Sequence, residues 1–225
     1  MKIKQNVAVT VLVLLTVTVL PAHSQSTTPL MQAAKNGNDW QISKLLNSGV
    51  DIQERDSEGW TALMYAIRYQ QNSNTVKMLI ENGALIRVRN SYNFTPLLLA
   101  ALYTQNPDIL ALMLKDRNGA EEEVFNAFIL SIVSNEVSDD IRYEKNELFF
   151  KKEIPMNAFW KGMTPLMYAC KYGSSTAIIQ QLLQHGALPS IRNKDGKTAF
   201  DFARENQVLI HDDTFWSLTD RRNAK

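Results

Sequence analysis

The chain has 225 residues, with 24 Lys and Arg against 23 Asp and Glu, three His, one Cys and 45% hydrophobic content. That length admits one or two domains, and the balanced charge argues against a nucleic-acid binder, which carries a strong basic excess. A single Cys excludes an internal disulfide framework and any cluster of thiolate metal ligands.

The first element in the chain reads as an address. Lys2 and Lys4 precede fourteen residues, 7–20, that carry no charge, and Pro21 breaks the run. Ala22-His23-Ser24 then places small residues where a signal peptidase needs them, before Gln25. This order predicts a cleavable secretory signal peptide over residues 1–24. A membrane anchor is the first rival, but fourteen residues fall short of the roughly 20 that span hydrocarbon. A buried helix is the second, and the cleavage-like triplet speaks against it. Removal leaves 201 residues with 22 basic and 23 acidic side chains, and only His185 and His211. The mature chain is therefore expected to be exported without stable membrane insertion: periplasmic in a bacterium, secreted otherwise.

Past residue 24 the chain repeats. Leucine-like pairs recur at Leu45-Leu46, Leu79-Ile80, Met113-Leu114, Leu148-Phe149 and Leu182-Leu183, spaced by 34, 34, 35 and 34 residues. A second marker runs through Thr28-Pro29-Leu30, Thr61-Ala62-Leu63, Thr95-Pro96-Leu97, Thr164-Pro165-Leu166 and Thr198-Ala199-Phe200. A third is Gly49-Val50, Gly83-Ala84, Gly119-Ala120 and Gly186-Ala187. Three markers held in phase at this period predict stacked units that each bury a face against the next.

Each marker has a physical reason. The Thr hydroxyl caps free N–H groups at a helix start, and Pro fits the first helical position. Small residues follow, as at Ala33-Ala34, Ala66, Ala100-Ala101 and Ala169-Cys170, and allow close helix approach. The leucine-like pair faces the core from a second helix, which Gly then ends in a left-handed conformation. The next dozen residues, such as 87–94, suit a hairpin closed by a turn.

In TPLMQAAKNG, GWTALMYA, TPLLLAA, GMTPLMYACKYG and DGKTAFDFA the sequence resembles the ankyrin repeat family. The resemblance covers essentially all of residues 25–225. It implies an all-α solenoid of about six helix-turn-helix units with β-hairpin connections. The approximate repeats are 25–55, 56–89, 90–122, a degenerate 123–158, 159–192 and a C-terminal cap at 193–225. Where the family often has His after T-P-L, this chain has Met31, Met64, Leu98 and Met167, so apolar packing must replace histidine hydrogen bonds. Repeat four lacks T-P-L; its first helix is expected at 124–134, three residues early, with the lost length returned in the segment 135–140. Either drift or a partner accounts for that irregularity. Asp201 suits a terminal, capping repeat.

Little in the chain points to catalysis. There is no G-x-S-x-G element, no Gly-rich phosphate loop and no alternating calcium-loop pattern. A metal site at His211, Asp212 and Asp213 would need adjacent side chains to converge, which a helix does not allow. Cys170 fills a small-residue packing position. Glu121-Glu122-Glu123 and Asp139-Asp140 fit solvated loops or helix N-termini. Asn93-Phe94-Thr95 has the form of a glycosylation sequon, and Asn93 also stands where other repeats have Gly59, Gly162 and Gly196. No cofactor and no metal are expected.

The resemblance implies that partners meet the hairpin tips and the concave face of the first helices. Carried onto this sequence, that surface comprises Trp60, Tyr69, Arg87, Arg89, Tyr92, Phe94, Tyr103, Trp160, Lys161, Met163, Tyr172, Arg192 and Lys194. Aromatic side chains of this kind are enriched at binding hot spots; they also cover the edges of cores, and both readings stand. The basic hairpin residues either steer an acidic partner or keep an edge solvated. The chain is thus expected to be a monomeric, non-catalytic exported protein that binds another protein and no nucleic acid. An immunity-type inhibitor or protective accessory protein of one enzyme is the alternative, and a metal-dependent hydrolase the weakest.

Overall fold

A computed structural model describes residues 27–69, 72–115 and 121–219. The segment 1–24 and the Gly119-Ala120 marker lie outside the described residues. Among the described residues twelve helices follow one another along the chain. They are α1 (Pro29–Asn36), α2 (Asp39–Asn47), α3 (Ala62–Tyr69), α4 (Ser73–Glu81), α5 (Pro96–Tyr103) and α6 (Pro107–Leu114). Then come α7 (Glu121–Val133), α8 (Asp139–Phe150), α9 (Pro165–Tyr172), α10 (Thr176–Gln184), α11 (Ala199–Glu205) and α12 (Asp213–Ser217). The odd-numbered helices stack on one another in an inner row and the even-numbered ones in an outer row.

The Thr markers start the inner helices as expected. Thr28, Thr61, Thr95, Thr164 and Thr198 each accept the backbone N–H three residues on, at 3.3–3.4 Å. The residues in the usual histidine position are buried apolar side chains: Met31, Met64, Leu98 and Met167. Ala33, Ala34, Ala66, Ala100, Ala101, Ala169 and Cys170 are buried between neighbouring inner helices, where a larger side chain would force the repeats apart. At the outer-helix ends, Gly83 takes φ 94° and the Ala84 N–H reaches back to the Leu79 carbonyl at 2.9 Å. That left-handed stop satisfies a carbonyl the helix leaves open.

The connections expected as β-hairpins form no strand among the described residues. They are tight turns, with one isolated antiparallel bridge between Trp160 and Met163. Three of them share a device. Asp56, Asn90 and Asn193, all buried, use one side-chain oxygen to accept two backbone N–H groups, two and four residues on, at 2.8–3.1 Å. This closes the turn locally, as Asx side chains do. Asn93 at φ 66° occupies the left-handed position held by Gly59 and Gly196. Adjacent turns are clamped: Gln53 donates to the Gly83 carbonyl at 2.6 Å and accepts from Leu85 N–H at 3.2 Å. Asn157 repeats this on Gly186 and Leu188, at 2.9 Å each.

Repeat four departs from expectation in its length distribution. Its first helix begins at Glu121 rather than 124, inside the segment assigned to repeat three, and runs 13 residues; its second runs 12. Three Glu in the first turn favour the early start, because carboxylates are stabilised at a helix N-terminus and Glu is a good helix former. Asp139 and Asp140 do the same for α8, so the extra residues lengthen helices instead of the loop between them. Buried polar side chains fix this unit against repeat five. Ser131 donates to Asn146 at 2.9 Å, Asn146 to Gln181 at 3.1 Å, and Gln181 to Glu147 at 3.0 Å. Beside them Lys145 is wholly buried, its Nζ donating to the Thr104 carbonyl at 3.4 Å. Burial, with Arg142 adding like charge, pushes the Lys145 ammonium down to about 7.

Candidate binding face

The inner helices carry a row of tyrosines near their C-terminal ends. Tyr69 is 39% exposed, while Tyr103 and Tyr172 are half-buried. Beneath them lie Tyr65 and Tyr168, both buried, with ring centroids 6.1 Å from Tyr69 and 6.0 Å from Tyr172. The under-row is fixed from below. Tyr65 donates to Asp56 Oδ2 at 2.8 Å, and Tyr168 to the Trp160 carbonyl at 3.3 Å. Burial, and then the bond to Asp56, raises the Tyr65 hydroxyl well above the usual phenol range, so it stays a neutral donor.

The structure corrects two members of the anticipated surface. Trp60 and Phe94 are 1% and 3% exposed and belong to the core. The residue before each capping Thr returns its carbonyl to the N–H of Asp56 or Asn90 at 3.0 Å, and its ring packs under the turn. Trp60 therefore backs the row, 5.5 Å from Tyr65, without reaching its surface. Met163 is half-buried against the core, and Trp160, also half-buried, lies 5.4 Å from Tyr168. Tyr92, Arg87, Arg89, Lys161, Arg192 and Lys194 are exposed on the turns. Tyr92 donates to Glu58 at 3.2 Å, Arg89 to the Asn93 carbonyl at 3.2 Å and Arg192 to the Gly196 carbonyl at 2.8 Å.

The surface read from the sequence includes Lys161 but omits the other cations laid on its rings. Arg68 sits 4.0 Å above the Tyr103 centroid and 5.4 Å from Tyr69, and Lys35 lies 4.9 Å from Tyr69. In the C-terminal half Lys171 lies 5.0 Å from Tyr172 and 5.3 Å from Phe202, and Lys161 lies 4.3 Å from Trp160. The signal was present: Lys35, Arg68 and Lys171 each directly precede the position that defined the tyrosine row. Such pairs hold long, flexible cations against aromatic faces, which reduces the freedom they lose when a partner docks. A row of rigid rings and restrained cations can bind a surface.

The groups a catalyst would use are placed elsewhere. Cys170 is buried and its thiol is pushed far above its ordinary range by burial. His185 meets Glu147 at 3.2 Å and stacks on Phe150 at the outer surface. Asp212 caps α12, accepting Phe215 N–H at 2.9 Å, while His211 stacks on the Phe215 ring. Among the described residues no three His, Cys, Asp or Glu are grouped to hold a metal ion, and no helix is long and apolar enough to cross a membrane. A groove of about 580 Å³ runs between the start of α7 and the segment after α8, with Phe125, Ile154, Phe159 and Trp160 among its walls.

The ankyrin repeat family, in three copies, matches residues 30–126 and 140–222. A mitochondrial disaggregase of Bos taurus is 30% identical over 203 residues, which is 85% of this chain and 24% of that protein. The chain thus spans about a quarter of that relative's length. Among solved structures, a complex of a predatory endopeptidase from Bdellovibrio bacteriovorus with an immunity protein matches with a TM-score of 0.66 and 25% identity. The match covers 88% of this chain and 100% of that one. A crystal structure of an ankyrin repeat protein matches with a TM-score of 0.63 and 24% identity, covering 81% of this chain and 93% of that one, and bears on the fold alone.

Proposed function

The chain belongs to the ankyrin repeat family, and from that membership we propose that it is an exported, monomeric, non-catalytic protein that binds another protein through its concave row and turn tips. Binding of a protein partner is what the repeats imply. The observation that carries the choice of face is the row of Tyr69, Tyr103 and Tyr172, each ring held by a cation or by a second ring from below. Such rigid rings at a concave surface have the character of hot-spot residues. Export rests on the basic start, the apolar run and the Ala22-His23-Ser24 triplet, with retention in the periplasm if the source is bacterial.

The test is capture from a native extracellular or periplasmic extract, with the unaltered protein beside a Tyr69→Ala, Tyr103→Ala, Tyr172→Ala variant. Loss of at least one of the rings that matter costs about 2 kcal/mol or more in affinity, so the captured partner should largely disappear. Equal capture by the variant, with unchanged stability, places the binding face elsewhere.

A second reading is narrower: an immunity-type inhibitor or protective accessory protein of one enzyme. It is favoured by the match to a chain in the endopeptidase–immunity complex, which this chain covers throughout. A peptidase recovered in the capture, and inhibited by the purified protein at equal molarity, supports that reading. A captured partner without enzymatic activity removes it. Disaggregase activity belongs to a relative of which only 24% is matched by this chain.

A further inference from the structure

Repeats two and five carry the same motif at the same register. Leu63-Met64-Tyr65-Ala66 is followed by Arg68-Tyr69, and Leu166-Met167-Tyr168-Ala169 by Lys171-Tyr172. The two copies also build the same object. In each, a buried tyrosine lies against a tryptophan, at 5.5 Å in repeat two and 5.4 Å in repeat five, and supports a more exposed tyrosine. In each, the motif's own cation lies across the outer ring and a ring from the following repeat: Arg68 on Tyr69 and Tyr103, Lys171 on Tyr172 and Phe202. A second cation joins from a neighbouring element, Lys35 on Tyr69 and Lys161 on Trp160.

Three of these cations, Arg68, Lys161 and Lys171, differ from others of the chain in what answers them. Lys77 pairs with Glu81 at 3.8 Å, Arg142 with Asp139 at 2.5 Å and Lys197 with Glu205 at 2.6 Å. Among the described residues, Arg68, Lys161 and Lys171 form no such ion pair. The nearby carboxylates are committed or remote. Asp56 is occupied by two backbone N–H groups and the Tyr65 hydroxyl, and Glu58 accepts from Tyr92. Glu136 acts on Tyr103, and Glu122 on Lys161, only as charges at a distance. The concave row is therefore left with fixed positive charge at two matched places.

We propose that these two cups are carboxylate-reading subsites, and that the partner lays an acidic segment along the row from repeat two to repeat five. The proposal rests on the concave row being the binding face. A cation already held on a ring is preorganised, and a carboxylate reaching it between apolar rings meets a weaker dielectric than at an open surface. Two cups on one rigid solenoid also make the second contact intramolecular, so one acidic segment engages both with a gain over either alone.

The test uses fluorescein-labelled peptides of equal length, one rich in Asp and Glu, one rich in Lys and one neutral, titrated with the full mature chain at low and at high salt. The acidic peptide is expected to bind and to weaken as salt rises, while the other two do not bind. Lys171→Gln and Arg68→Gln are each expected to weaken it about tenfold, and the double variant more than either. Arg68→Lys, which keeps a charge over the rings, should retain most of the binding, and Lys77→Gln on the outer surface all of it. Lys171 is exposed, so its replacement reads binding without disturbing the core. Equal binding of the neutral peptide, indifference to Lys171→Gln, or tighter binding of an oligonucleotide of matched charge each overturns the proposal. If the tyrosine variant loses the natural partner while Arg68 and Lys171 prove irrelevant, the carboxylate assignment falls and the face stands. If both sets of variants bind as the parent does, both fall.

Discussion

Lys145 offers a sharp test of how repeat four is built. Its side chain is wholly buried, with one long hydrogen bond to the Thr104 carbonyl and Arg142 as its charged neighbour. An ammonium brought from 10.5 down to about 7 loses about 1.4 kcal/mol per tenfold change in its acidity, or about 5 kcal/mol in all. The folded protein therefore binds fewer protons than the unfolded chain between pH 7 and 10.5, and stability from this group rises with pH through that window. Below pH 7 the group is charged in both states and its full cost is felt. Lys145→Met fills the same space without charge. Its advantage over the parent, measured by urea unfolding, should be largest near pH 6.5 and shrink by about 3 kcal/mol by pH 9.5. Taking the difference between the two proteins cancels the titration of every other group. A difference that stays flat across this range would refute the burial of an uncompensated lysine.

Gly173→Ala should destabilise by about 1–3 kcal/mol in thermal unfolding, because its Cβ would stand 2.4 Å from the Ala169 carbonyl oxygen. Gly83→Ala meets open space and should lose only roughly 1–2 kcal/mol, from the φ of 94° alone. Asn90→Ala removes the acceptor of the Tyr92 and Phe94 N–H groups, at roughly 1 kcal/mol each. Hydrogen exchange at the Phe94 amide should accelerate, with little change at Trp60. Asp201 is held below the usual carboxylate range by the Thr198 backbone N–H and hydroxyl. Its stabilisation is present above the ordinary carboxyl pKa of about 4 and fades as pH falls through the lower folded value, so Asp201→Asn should flatten the acid limb of unfolding.

The repeat was legible because its markers are chemical necessities. A capping Thr, a left-handed Gly and alanines between helices recur wherever the backbone needs them, and the structure places each there. The start of α7 was less legible. With no Thr-Pro to fix it, Glu121, Glu122 and Glu123 read equally as loop or first turn. The binding row was half legible. Tyr69, Tyr103 and Tyr172 align by counting from the capping Thr, but position alone points Trp60 and Phe94 outward. Asp56 and Asn90, four residues earlier, decide the matter by drawing the chain into an Asx turn that sends those rings inward. That signal was readable, since D-x-x-G-W-T, N-x-x-N-F-T and N-x-x-G-K-T share it. The placement of Arg68 on the Tyr103 ring depends on the next repeat's position and only the fold supplies it.

The most direct test of the concave row is hydrogen exchange of the mature chain with and without its captured partner. Protection on binding should concentrate at the C-terminal ends of α3, α5 and α9 and on the turns before them, leaving α2, α4, α6 and α10 unchanged. Protection confined to those outer helices, with none on the inner row, would contradict the account.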